Sequence, residues 1–259
     1  MDIEINTFDG IKLKTANTYV EEDINLSVSD KAFEEILYDG EVENGTLGAN
    51  KFASLVDGSM TEVTAQDLAG AKSIGSYAFY NRSKLTSIEI PNSVTSIGQS
   101  AFYRCSNLIS VTMTEGVKSL GSSTFFECEN LTNINIPSSV TSIGAQAFYR
   151  CYKLPSITIP DGVKSLGNGT FRQCTALTSI TIPASVESIA QEVFYSCSSL
   201  TTIRMLSDIP PTLSSTSAMP GNANLQIIVP KSENQTVLTA YKSASNWSNF
   251  ASKIVEATE

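Results

Sequence analysis

Apolar and polar positions along this chain repeat on a long period. Phenylalanine stands at Phe79, Phe102, Phe125, Phe148, Phe171 and Phe194, each 23 residues after the last. Leu85, Leu108, Leu131, Leu154, Leu177 and Leu200 keep the same interval, as do Ile88, Val111, Ile134, Ile157, Ile180 and Ile203. Val94, Val117, Val140, Val163 and Val186 make a further series. Inside one unit the short-range pattern changes. Ile88 and Ile90 flank Glu89, the period of two that predicts a strand with one buried face. Pro91 ends that strand, because proline brings no ladder donor. Gly98, Gly121, Gly144 and Gly167 predict a tight turn on the opposite side of the unit.

A single unit of this kind has no partner for its apolar side chains. Stacked units do, since each presents the same residue at the same height to the next. With strand neighbours ~4.8 Å apart, six units make a rod or shallow arc roughly 30 Å long. The copies also alternate. "SVTSIGQSAFYRC" (93–105) and "SVTSIGAQAFYRC" (139–151) are near copies, whereas 116–128 and 162–174 read "GVKSLG..TF..C". Alternation makes Arg104, Glu127 and Arg150 vertical neighbours, so opposite charges face each other up the stack. That placement suits control of register, because an exposed ion pair contributes only ~0–1 kcal/mol.

The unit "LTSIxIPxSVTSIGxxAFxxCxx" resembles the BspA-like, or Treponema-type, leucine-rich repeat family over about residues 71–206, in six consecutive copies without insertion. The resemblance implies a leucine-rich-repeat solenoid with a parallel β-sheet on its concave face. It also implies a bacterial cell-surface or secreted setting and adhesin-type binding of other proteins.

The ends follow other patterns. Residues 1–45 read as a small acidic α+β module. "GIKLKTANTYVEEDINLSV" alternates about an Asn-Thr turn, and "SDKAFEEILYDG" follows as a helix with Ser29 or Asp30 as cap. This module is weakly similar to short modules of gut-bacterial repeat proteins and their phages. The solenoid then occupies 46–206 and a C-terminal cap 207–259. In the cap, "LQIIVP" predicts a last strand, "TVLTAYKSASNW" a short helix, and Trp247 a cover over the final coil.

Charge is uneven. Residues 1–70 hold 15 acidic and 4 basic side chains, while the rest of the chain holds 11 and 13, for a total of −9. Such a chain repels phosphate backbones, so nucleic acid is not an expected partner. No apolar run approaches the ~18 residues of a membrane span, and Met1-Asp2-Ile3-Glu4 does not open like a signal peptide. Histidine is absent, which excludes Ser-His-Asp and Cys-His mechanisms. No nucleophile–base pair, metal cluster or phosphate loop stands out. The reading is therefore non-enzymatic, with no catalytic residue, metal or cofactor.

The repeated polar residues are the candidate sites. Cys105, Cys128, Cys151, Cys174 and Cys197 fill one repeat position. A line of parallel side chains does not converge tetrahedrally on zinc, and an odd number cannot pair fully. Free cysteine acting as a small buried apolar group is the expectation. Ser73, Ser96, Ser119, Ser142, Ser165 and Ser188 lack a base and are expected to satisfy backbone groups at a turn. The column Tyr80, Tyr103, Phe126, Tyr149, Tyr195, interrupted by Arg172, suits packing and also suits a binding surface. Solenoids bind through extended concave surfaces. The candidate ligand-binding residues are thus the outward strand positions: Ser87, Glu89, Ser110, Thr112, Asn133, Asn135, Ser156, Thr158, Ser179, Thr181, Thr202 and Arg204. The expected partner is a protein or glycan. The alternative is a structural or receptor-binding component of a phage or prophage particle.

Overall fold

In the computed structural model, residues 3–6, 12–15 and 59–258 are described. Ile3–Asn6 and Lys12–Thr15 pair antiparallel, so Lys12–Thr15 takes its partner from the preceding residues. The expected helix with its Ser29 or Asp30 cap, and the boundary at residue 45, lie outside the described residues.

From Ser59 onward the chain winds into stacked coils. Every coil places its Phe, Leu, Val and most of its Ile positions in one continuous core. The six phenylalanines are fully buried and stack ring on ring, with centroids from 5.1 Å apart at Phe79–Phe102 to 5.8 Å at Phe171–Phe194. The period alone accounts for this. Identical residues one coil apart must meet, and flat rings meet best at about the spacing that strands impose.

Two parallel sheets run up the stack. The first contains the long strands Ser87–Ile90 and Ser110–Met113, flanked by Glu62–Val63 and Asn133–Ile134. It resumes with Ser179–Ile182, Thr202–Met205, Gln226–Val229 and Ile254–Glu256. The second sheet corrects the serine expectation. Ser73, Ser96, Ser119 and Ser142 open two-residue strands that pair in register, and Ser165 and Ser188 do the same with Thr212–Leu213. These serines are not turn residues. Each stands beside a buried Ile or Leu.

Both sheets break at one place, where an uninterrupted long-strand sheet was expected. Residues 156–159 form no strand, and the strand at Ser142–Ile143 does not pair with that at Ser165–Leu166. In the long-strand sheet Pro155 supplies the cause. In the other coils the residue before the strand donates its N–H to the coil before: Thr86 to Thr61 at 2.7 Å, Ile109 to Thr86 at 2.8 Å, Thr132 to Ile109 at 3.0 Å. Pro155 has no N–H to give, and the next bond, Thr178 to the Pro155 carbonyl, is stretched to 3.4 Å.

The third side of each coil has no such break. There Tyr77, Phe79 and Asn81 donate to carbonyls of the following coil, and the pattern continues through Gln146, Phe148 and Arg150 up to the bond from Phe194 to Ala218. The turns on this side use left-handed backbone at Tyr77, Ser100, Ser123, Gln146 and Glu192, and again at Asn81, Arg104, Glu127, Arg150, Gln173 and Ser196. The glycines do open these turns, as the Ala101 N–H on the Gly98 carbonyl at 3.4 Å shows, but the left-handed backbone belongs to other residues. Gly98, Gly121 and Gly144 are needed for close approach: a Cβ there would lie 2.5, 2.5 and 2.3 Å from backbone of the preceding coil. At Gly167, beside the break, the nearest atom is 3.0 Å away, and the next coil already carries Ala190 in that place.

The segment after residue 206 continues both sheets before closing the stack. Trp247 is buried, packs edge-on against Tyr241 at 5.3 Å, and donates its indole N–H to the Pro211 carbonyl at 2.7 Å. The helix Thr236–Ser243 presents Val237 and Tyr241 to the core, and the Tyr241 hydroxyl reaches the Ser207 carbonyl at 2.9 Å.

Candidate functional site

The outward positions of the long strands stand one above another. In the first half, Ser87 pairs with Ser110 and Ser110 with Asn133, while Glu89 pairs with Thr112. In the second half, Ser179 pairs with Thr202 and Thr181 with Arg204. The alternation of a pleated strand brings these side chains to one surface and sends Ile88, Val111, Ile180 and Ile203 inward. Glu89, Thr112, Asn133, Thr181 and Arg204 are exposed; Ser87, Ser110 and Thr202 are half-buried. Asn135, Ser156 and Thr158 lie at the break and not on a regular strand; Ser156 and Thr158 are exposed. Side-chain bonding on this face is sparse. Asn133 donates weakly to Ser110 at 3.5 Å, and Glu89 accepts from the Ala65 N–H at 3.4 Å. Most of these polar groups therefore keep donors and acceptors available.

Beyond Arg204 the same register brings Ile228 and then the exposed Val255 to the surface. Sequence reasoning missed this apolar end. Its signal was the "IIVP" run, read as a single terminal strand when it continues the outward column.

The cysteine column has a defined role. All five thiols are buried and unpaired with one another. Each donates to the phenylalanine carbonyl of the preceding coil, from Cys105 to Phe79 at 2.9 Å through Cys197 to Phe171 at 3.0 Å. Burial pushes the Cys105 and Cys197 thiols up to about 12. A thiol that cannot ionise is neither a nucleophile nor a metal ligand at neutral pH. Among the described residues, no group of three His, Cys, Asp or Glu side chains is placed to hold a metal, and no helix is long and apolar enough to cross a membrane.

The charged column is tighter than an exposed pair. Glu127 accepts from Arg104 at 2.8 Å and from Arg150 at 2.6 Å, and Arg150 also donates to Gln173 at 2.8 Å. Burial pushes the Glu127 carboxyl up, but the two guanidinium bonds outweigh it and hold it below the usual range. The aromatic column beside it packs. Tyr80, Tyr103, Phe126 and Tyr149 stack at 5.3, 4.5 and 4.5 Å, and Arg172 lies between Tyr149 and Tyr195, 5.5 and 5.0 Å from their rings.

Comparison with known proteins agrees with this architecture. The BspA type leucine rich repeat region family matches in 6 copies, over residues 46–153, 72–201 and 120–237. A solved leucine rich repeat protein of T. pallidum is 28% identical, covers 62% of this chain and 72% of its own, and superposes with a TM-score of 0.51. A leucine-rich repeat protein from Bacteroides ovatus is 24% identical over 76% of this chain and 60% of its own, with a TM-score of 0.48. A leucine rich cell surface protein from Faecalibacterium prausnitzii is 23% identical over 66% and 64%, with a TM-score of 0.38. The chain thus spans less than two thirds of the last two proteins. Among proteins with curated descriptions, none matches it.

Proposed function

The chain belongs to the BspA-type leucine-rich repeat family, and from that premise we propose that it is a non-enzymatic interaction module. It presents the outward face of its long-strand sheet to a protein or glycan ligand. On this reading 46–206 is the binding unit, 207–259 closes it, and 1–45 is a separate acidic module. The observation that carries it is the register of that face: polar side chains on neighbouring coils, in line and with few side-chain bonds among the described residues. One extended ligand touches several coils at once, which is how repeat surfaces gather affinity from weak contacts. An adhesin-type role at a bacterial cell surface, or as a secreted protein, is the setting that membership of this family favours.

The test is a screen of the intact chain against immobilised matrix proteins, mucins and glycans. Each hit is then measured with Asn133→Arg plus Ser156→Arg, which puts bulk and charge on the exposed face without touching the core. Affinity falls at least tenfold, and the wild-type interaction depends only weakly on salt because the face is nearly uncharged. If the double variant stays folded and binds every hit unchanged, the reading is wrong. The same conclusion follows if removing residues 1–45 abolishes all binding in a folded protein.

A further inference from the structure

A second surface has the chemistry of an interface and lies off the sheet, on the turns that follow the buried phenylalanines. Two columns meet there. One is the stacked row Tyr80, Tyr103, Phe126 and Tyr149, continued by Arg172 and Tyr195. The other, one residue further along each coil, holds Arg104, Glu127 and Arg150. Tyrosine and arginine are the side chains that most often dominate binding energy, whereas serine and threonine, which make up the sheet face, are under-represented there.

Three features specify what this surface takes. First, charge is layered. The Glu127 side chain is 13% exposed, while those of Arg104 and Arg150 are 53% and 38% exposed. The carboxylate lies underneath and the guanidiniums face solvent. Arg104 uses only Nε on Glu127, so both its Nη groups lack partners among the described residues. Second, these groups are already ordered. Arg104 and Arg150 lie over Tyr103 and Tyr149, 5.4 and 5.2 Å from the ring centres. Binding therefore immobilises little that is still free. Third, the faces of Tyr103, Phe126 and Tyr149 are occupied by neighbouring rings and by Arg172. Between Arg104 and Arg150 the stack therefore offers ring edges, the positive rim of the aromatic quadrupole, and not a flat face for a sugar ring.

We propose that this tyrosine–arginine flank docks an extended acidic polypeptide segment. Arg104 and Arg150, two coils and about 10 Å apart, each take a carboxylate, Arg104 through its two Nη groups and Arg150 through Nη2, since its Nη1 is held by Glu127 and its Nε by Gln173. Apolar side chains of the same segment lie against the tyrosine edges. A polyanion such as a sulfated glycan or a nucleic acid carries more charges than two exposed guanidiniums can pair, and the chain's −9 opposes each of them, whereas a segment with a few carboxylates among apolar residues meets that repulsion least. This site is distinct from the sheet face and stands whether or not that face binds.

The test uses displayed random dodecapeptides selected on the intact chain. Recovered peptides are enriched in Asp and Glu alternating with aromatic or aliphatic residues. Chosen peptides are measured by fluorescence anisotropy against R104Q/E127Q/R150Q, which removes the three charges together and leaves no orphaned carboxylate. Binding weakens at least tenfold in that variant, and likewise when the peptide's Glu residues are replaced by Gln. It is unchanged in Asn133→Arg plus Ser156→Arg. A selection without acidic enrichment overturns the proposal, and so does equal binding by the triple variant or loss of binding in the sheet-face variant. The Glu-to-Gln peptides read out on the wild-type chain, so the result stands even where the triple variant melts early. Heparin displacing the peptides while itself failing on the triple variant reassigns the site to polyanions.

Discussion

The two flanks of this solenoid respond differently to the same change of coil. On the sheet side the main-chain ladder stops between the coils around Asn133 and Ser156. On the phenylalanine side it runs without a gap from Tyr77 to Ala218. The difference lies in how many independent contacts each side makes per coil. The sheet side relies on backbone bonds, and one proline removes a rung and loosens its neighbours. The phenylalanine side adds a stacked ring and a thiol bond to its backbone bonds, so the Phe148–Phe171 spacing of 5.5 Å continues the trend across the break. Order that is secured several ways survives the loss of any one.

Alkali attacks the secure side and gives the largest effect. The folded thiols resist ionisation, with Cys105 and Cys197 up at about 12, whereas an unfolded cysteine titrates near 8.5. A group whose pKa is raised by folding stabilises the fold below its unfolded pKa, and that contribution is lost as pH rises toward the folded one. Each thiol then removes about 1.4 kcal/mol per pH unit, roughly 7 kcal/mol for all five. Thermal melts should fall steeply between about pH 9 and pH 11, and replacing all five cysteines with Ala should flatten that slope. Below pH 9 the native protein should show little thiol reactivity, and the denatured protein should titrate five. An unchanged slope in the five-Ala protein would show that the thiols are not the linked groups.

Phe148→Ala breaks the phenylalanine ladder next to the weak coil boundary. It leaves a cavity between two buried rings and should cost ~3–5 kcal/mol in a denaturant melt. Amide exchange at residues 156–166 should rise more than at 87–97, because the sheet beside it has no rung to hold the coils. A loss under about 1 kcal/mol would contradict the stacked core.

Glu127→Ala tests the column beside it. Removing the carboxylate leaves Arg104 and Arg150, one coil on either side, without their shared counter-charge, and should cost about 1–3 kcal/mol. In wild type this contribution is present above the ordinary glutamate pKa and is lost as pH falls through the lowered folded one. The alanine variant should therefore lose less stability than wild type on acidification. Equal acid sensitivity would mean that Glu127 is only a surface pair.

Pro155→Thr sharpens the comparison with the smallest change in stability. It restores an N–H where Thr86 and Thr132 have one, which favours the fold by about 0.5–1.5 kcal/mol. It also frees the unfolded chain by about 0.4–1 kcal/mol, so the melt shifts little. The expected result is new amide protection at the substituted position and at residues 156–159. If those amides still exchange freely, the break has a cause other than the missing donor.

Much of this was legible in the sequence because the repeat is exact. A period of 23 places Phe over Phe, Cys over Cys and Arg104 over Glu127 over Arg150 without any knowledge of the coil's shape, since stacking alone makes residues at that interval neighbours. Alternation around Glu89 and Thr181 likewise assigned the outward residues of the long strands. Other features required the tertiary structure. A two-residue run such as Ser96-Ile97 is too short to announce a strand, and it becomes one only when equivalent runs above and below supply its hydrogen bonds. The glycines read as turns because sequence reports only conformational freedom; the backbone 2.3 to 2.5 Å from their missing Cβ belongs to another coil. Pro155 sits in plain view, yet its effect on the long-strand sheet depends on which N–H groups cross between coils. The period determined which residues meet. The three-dimensional path of the coil decided which of those meetings are bonds, because hydrogen bonding depends on direction and distance, which a repeat interval does not encode.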